Sequence, residues 1–97
     1  MATYVALMKF TEQGIRNIKE SPTRIENARK LIQSAGGELK QWWLAMGRYD
    51  AIIMCEAPND EVVAKVILSL GSLGNVRTET FRVFSEADFR KMVGSLP

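Results

Sequence analysis

A chain of 97 residues with 46% hydrophobic content is long enough for one domain with its own core and too short for two. Its 13 basic and 11 acidic residues leave a net charge of +2 with the signs interspersed, which offers no basic block to nucleic acid and no acidic disordered tail. There is no histidine, so imidazole-built zinc sites, a haem on an axial histidine and a Ser-His-Asp triad are all struck out, and neither a cofactor nor a metal is expected.

Thr3-Tyr4-Val5-Ala6-Leu7-Met8-Lys9-Phe10 is rich in strand formers, is apolar on both faces and predicts a first strand over residues 3–10. Thr11 opens a short helical turn. Ser21-Pro22 then starts a helix, serine as cap and proline at the first helical position, with Ile25, Ala28, Ile32 and Ala35 at helical spacing and Gly36-Gly37 as its stop. A second strand follows over residues 38–46, with Trp42 and Trp43 on opposite faces because strand side chains alternate. Gly47-Arg48 makes a turn into a third strand, residues 49–56, whose apolar centre Ala51-Ile52-Ile53-Met54-Cys55 suits an inner position. Cys55 reads as a small buried hydrophobe or as a reactive thiol. Asn59 or Asp60 caps another helix striped by Val63, Val66, Ile67 and Leu70, closed by Gly71 and Gly74. Residues 76–84 form strand four, with Phe81 and Val83 on one face and Thr78, Thr80 and Arg82 on the other, and Ser85-Glu86-Ala87-Asp88 caps a helical tail. No stretch approaches the ~20 apolar residues of a membrane span, and Met1-Ala2-Thr3-Tyr4 puts no basic segment ahead of an apolar run. The expectation is a cytoplasmic protein with no membrane or nucleic-acid partner.

The order strand, helix, strand, strand, helix, strand is the split βαβ arrangement of an α+β, ferredoxin-like fold, a single domain over residues 1–97. Its four strands form one antiparallel sheet with both main helices on the same face, which leaves the other face bare. If Val5 and Leu7 pack under the helices, Tyr4, Ala6, Met8 and Phe10 turn outward, together with one of Trp42 and Trp43 and either Ile52 and Met54 or Ala51 and Ile53. An apolar surface of that size calls for a cover. The expected cover is a second copy in a two-fold homodimer enclosing a barrel-like space, and the alternative is the C-terminal helix folding back over its own sheet.

Gly47-Arg48-Tyr49-Asp50 resembles the triplet that gives the GYD family of small bacterial and archaeal proteins its name. The similarity extends to Tyr4-Val5-Ala6-Leu7, Lys9-Phe10-Thr11, Gly14-Ile15-Arg16-Asn17-Ile18, Arg24, Glu56-Ala57-Pro58 and, most specifically, the run Gly71-Ser72-Leu73-Gly74-Asn75-Val76-Arg77-Thr78-Glu79-Thr80. The resemblance implies a dimeric α/β barrel of ferredoxin-like topology whose biochemical role is uncharacterised. More distantly, the Gly-x-Tyr-Asp hairpin is similar to that of the effector-binding domains of Lrp/AsnC-type regulators, where a small ligand sits near the subunit interface; no helix-turn-helix precedes it here.

Asp50 opens an inner strand, where an ionised carboxylate needs solvent or a partner. It sits with Tyr49 at the entrance to an interior space, or it accepts turn amides near Gly47 and pins the hairpin. Thr78, Thr80 and Arg82 line a polar wall of that space and take a carboxylate or carbonyl, or they form the solvated face of an edge strand. Arg24, in the first turn of its helix, is a poor dipole partner there and invites pairing with Asp50 or Glu79. Trp42 or Trp43 serves either the core or as a ligand platform.

Three functions follow. The favoured one is a homo-oligomer that binds a small molecule without chemistry. The second is a cofactor-free enzyme, monooxygenase- or isomerase-like, with Asp50 or Tyr49 handling a proton, which requires a carboxyl raised by burial. The third is an interaction module with a filled interior. A cavity of a few hundred Å³ lined by Asp50 and one tryptophan separates the first two from the third.

Overall fold

The computed structural model describes residues 1–97. Its strands are β1 (Ala2–Phe10), β2 (Glu38–Leu44), β3 (Ala51–Ala57) and β4 (Val76–Val83); its helices are α1 (Glu12–Arg16), α2 (Ser21–Ser34), α3 (Asp60–Ser72) and α4 (Glu86–Gly94). The strands make one antiparallel sheet in the order β2-β3-β1-β4, the ferredoxin-like order in which the two inner strands come from opposite halves of the chain. None of the helices is long and apolar enough to cross a membrane.

Local chemistry accounts for the ends of the elements. Thr11 caps α1 by accepting from the Gly14 amide at 3.0 Å, Asn59 caps α3 through the Val62 amide at 3.0 Å, and Ser85 caps α4 through the Asp88 amide at 3.0 Å. Gly36, Gly47 and Gly74 all have positive φ, at 89°, 115° and 85°, so the end of α2, the turn between β2 and β3 and the entry to β4 each use a conformation that L residues rarely adopt. Ser21 does not cap α2. A 3₁₀ turn over Ile18–Glu20 runs straight into the helix, so Ser21 is already helical and its hydroxyl accepts instead from the Arg24 guanidinium at 2.9 Å.

α2 lies over β2, and α3 over β4 and β3, on one face of the sheet. The side chains of β1 turned toward them are Tyr4, Ala6, Met8 and Phe10, the reverse of the sequence expectation. Tyr4 and Met8 are buried, and Tyr4 belongs to the core cluster with Ile32, Leu39, Cys55, Val63 and Val66. By register, Ile53 and Cys55 on β3 and Thr78, Thr80 and Arg82 on β4 share that face. Val5, Leu7, Ile52, Met54 and Phe81 occupy the other. Strand alternation is broken once, where the pairing of β2 with β3 steps from Leu39 opposite Cys55 to Gln41 opposite Met54, and Lys40 is the extra residue. The bulge lets Leu39 and Trp42, an odd number of positions apart, both face the helices, and it sends Trp43 to the bare face, 46% exposed.

Candidate functional site

α2 and α3 run along opposite margins of the sheet, and the space between them and the strands is a cavity of about 350 Å³. Its floor is Ala6, Met8, Phe10, Ile53 and Trp42, and its helical walls include Ile25, Ala28, Leu31, Leu70 and Leu73. The physical cause lies in side-chain length. Ala6 on the strand side and Ala28 on the helix side are each a single methyl, so the two layers leave a gap that close-packed interiors do not leave. Only 10 of the 97 residues are buried, which fits a chamber in place of a filled core.

The polar residues of the chamber gather at one end. Phe10 pairs with Val76 and Met8 with Thr78, so the end of β1 and the start of β4 lie together. The start of α2 joins them, because Arg24 donates to the Gly14 carbonyl at 3.2 Å and to the Asn17 carbonyl at 3.0 Å. Ser21, Arg24, Asn27, Asn75 and Thr78 therefore share this end, while Leu39, Cys55 and Val66 line apolar wall. Asn75 is locked in place: its carbonyl accepts from the Thr11 amide at 3.1 Å and its side chain from Gln13 at 3.0 Å.

Of the residues singled out from the sequence, Arg24, Trp42 and Thr78 line the chamber. Thr80 lies one pleat beyond Thr78 on the same face, and its hydroxyl oxygen is buried without a hydrogen-bond partner. Arg82 is displaced from this group. Its guanidinium lies 4.7 Å from the centroid of the Phe84 ring, and it borders a separate polar recess with Tyr4, Asn59, Asp60 and Glu61. Arg24 pairs with neither Asp50 nor Glu79; besides the two carbonyls and Ser21 it has Glu20 at 3.8 Å.

Asp50 and Tyr49 are not part of the chamber lining. Asp50 extends the sheet just ahead of β3: its amide donates to the Met8 carbonyl at 2.8 Å, and its carboxylate accepts from the Phe10 amide at 2.9 Å. The Asp50 carbonyl accepts from the Ala45 amide at 2.8 Å, which ties β2 to the same point. Tyr49 donates to Glu79 at 2.7 Å and has the Lys9 ammonium 5.5 Å from its ring centroid. The hydrogen bond to Glu79 raises the Tyr49 phenol above its ordinary value, since ionising it would set two anions side by side.

Sequence reasoning passed over the pairing of Tyr4 with Asp60. The Tyr4 hydroxyl donates to Asp60 in the first turn of α3, and this bond, with burial behind it, raises the Tyr4 phenol. The pair pins the start of α3 to the centre of the sheet. A tyrosine directly beside the apolar run Val5-Ala6-Leu7-Met8 was the available signal, because a buried phenol needs an acceptor. Cys55 lines the chamber, and burial pushes its thiol up, away from the reactive thiolate.

The bare face presents Val5, Leu7, Trp43, Ile52, Met54 and Phe81, with Phe81 43% exposed. α4 does not fold back over it to hide its own apolar residues: Phe89, Met92, Val93 and Leu96 are all exposed.

Comparison with known proteins gives one family and a consistent fold. Residues 4–93 match the GYD domain. The chain is 29% identical over 89 residues to the glutamine synthetase and cystathionine beta-lyase binding protein of Thermus thermophilus, covering 91% of this chain and 94% of that one. Among solved structures it is similar to TTHA0845, also of Thermus thermophilus, with a TM-score of 0.56, 21% identity and coverage of 88% of this chain and 95% of that one. It is similar also to FFRP-DM1, with a TM-score of 0.58, 21% identity and coverage of 87% and 100%. PHS023 of Pyrococcus horikoshii aligns with a TM-score of 0.56 at 18% identity over 89% of this chain and 93% of that one. At such identities the structural likeness speaks for the fold alone.

Proposed function

This chain belongs to the GYD domain family, and from that premise we propose that it is a homo-oligomeric binding protein that holds a small molecule in the chamber between sheet and helices. The observation that carries the reading is the chamber itself: about 350 Å³, lined mainly by apolar side chains and floored by Trp42, within the range of small-molecule sites. The chamber presents no aspartate, glutamate or lysine, and Asp50 lies outside its lining with one carboxylate oxygen on the Phe10 amide, so binding is favoured over a cofactor-free monooxygenase or isomerase reaction.

Self-association is supported by the bare face. Burying large apolar side chains is worth about 1.5–3 kcal/mol each, so covering several is comparable with the ~5–15 kcal/mol stability of a small domain. A second copy supplies a matching surface through a two-fold axis. Native mass spectrometry of gently purified protein tests both parts: the expected result is a dimer or higher oligomer carrying a retained small mass, and a ligand-free monomer overturns the reading.

A second reading rests on the relative named for binding glutamine synthetase and cystathionine beta-lyase. On it, the bare sheet docks an enzyme in place of a second copy. Co-elution with these two enzymes from the same organism, lost in Trp43→Glu, would favour it over self-association.

A further inference from the structure

We infer that the chamber selects an uncharged, largely apolar molecule about the size of two fused rings and rejects a free amino acid or other carboxylate. This rests on the binding reading above and adds the ligand's chemical class.

Size comes first. An apolar cavity of about 150 Å³ accepts one benzene ring. The chamber, at about 350 Å³, is a little over twice that. Trp42 and Phe10 present aromatic surface to whatever lies inside, and Ala6 and Ala28 leave the width for a flat ring system.

Charge comes second. Arg24 is the one charged residue in the lining, and three of its N–H donors are already taken. Nη2 donates to the Gly14 carbonyl and the Ser21 hydroxyl, and Nη1 donates to the Asn17 carbonyl with Glu20 beside it. A guanidinium has five N–H donors, and both of those on Nη2 are used, so the paired fork that grips a carboxylate is closed. An entering carboxylate would have to displace two backbone carbonyls and meet Glu20. An entering ammonium would find no carboxylate in the lining at all. Either ion would lose its water without gaining an oppositely charged group free to pair with it in a fork, and neutral hydroxyls and amides alone repay little of that loss. The neutral polar groups at the Phe10 end, Thr78 and Asn27 among them, leave room for a single hydroxyl, amide or ring N–H.

The test uses a matched pair of probes, indole and L-tryptophan, which share a ring system and differ by a zwitterionic arm. Calorimetric titration of the full chain, in the oligomeric state in which it purifies, is expected to show saturable indole binding. L-Tryptophan is expected to bind at least about a hundred-fold more weakly, the discrimination that an unpaired buried charge imposes. Amide chemical shifts on adding indole should move at Ala6, Ala28 and Leu70 and stay unchanged at Val5 and Phe81 on the bare face. Ala28→Leu, which fills the chamber, should abolish indole binding; Leu70→Phe is the second filling variant should the first fail to fold.

If L-tryptophan binds within about ten-fold of indole, the neutral-ligand inference falls while the chamber reading stands. If neither probe saturates, both fall. If indole shifts only bare-face amides, or binds unchanged in a folded filling variant, the site is elsewhere and the inference is wrong.

Discussion

Two glycines, each inside a helix, should respond in opposite directions to the same added methyl group. At Gly14 in α1, a Cβ would land within the Asn75 carbonyl oxygen, 2.9 Å from its carbon and 3.2 Å from the Asn75 Cα. None of these atoms can swing away. Asn75 is held by the Thr11 amide, and the adjoining carbonyls of Gly74 and Leu73 accept from the Thr11 hydroxyl at 2.6 Å and from Gln13 at 3.1 Å. Overpacking against such a wall costs about 3 kcal/mol, at the upper end of the usual range. Losing one seam hydrogen bond adds about 1 kcal/mol. The helical preference for alanine over glycine returns about 1 kcal/mol. Gly14→Ala should therefore lose about 3 kcal/mol, with melting lowered by about 4–8 °C for each kcal/mol in a domain of this size. At Gly71 in α3 the added methyl meets nothing within 4 Å, so Gly71→Ala keeps only the helical gain, about 0.5–1 kcal/mol of stabilisation. Urea unfolding followed by circular dichroism measures both, with an unchanged slope showing that only stability has moved. A neutral Gly14→Ala, or a Gly71→Ala that loses as much, would refute the close approach of α1 to the entry of β4.

Other consequences are open to equally direct measurement. Asp50→Ala removes the acceptor of the Phe10 amide and should cost about 1–3 kcal/mol in urea unfolding, whereas Asp50→Asn, which keeps an amide oxygen there, should cost clearly less. Asn59→Ala should lose about 1 kcal/mol through the uncapped Val62 amide at the start of α3. Both tyrosine phenols are raised above 10.0 by hydrogen bonds to carboxylates. The stabilisation this brings is fully present below the unfolded value near 10 and is lost as pH climbs through the higher folded values; phenolate absorbance of the native protein should therefore lag behind that of the unfolded chain. Cys55, on the chamber wall with a raised thiol, should react with a thiol reagent far more slowly in the folded protein than in the urea-unfolded chain.

The strand and helix order was legible because its signals are local: capping residues, positive-φ glycines and apolar periodicity lie where the chain turns or coils. Facing was less so. β1 is apolar on both sides, so nothing in Tyr4-Val5-Ala6-Leu7-Met8 indicates which set meets the helices, and the reversed assignment of Val5 and Leu7 follows from that symmetry. Thr78, Thr80 and Arg82 form a polar row that turns toward the helices, while Phe81 faces the bare side; polarity misleads when the covered side is a chamber and the uncovered side is greasy. For the candidate site, Arg24, Trp42 and Thr78 could be picked out by chemical type. Their assembly with Asn75 depends on hydrogen bonds between segments some sixty positions apart, such as Thr11 to Gly74 and Gln13 to Asn75, which no local pattern records. Asp50 attracted attention as a carboxylate opening an inner strand, and its partner, the Phe10 amide 40 residues away, could not be identified from the turn alone.

Lys40 reaches Glu38 at 3.5 Å and Glu56 at 3.4 Å, so the looped-out residue of β2 is anchored from above and across. Because its neighbours pair with consecutive positions of β3, a relative lacking this one residue would zip the two strands together without interruption and still leave each indole ring on its present side. Alignments in this region should be judged by cross-strand partner, with a single-position gap allowed at Lys40. Forcing equal lengths through it would equate an indole that greets the interior with one that greets solvent.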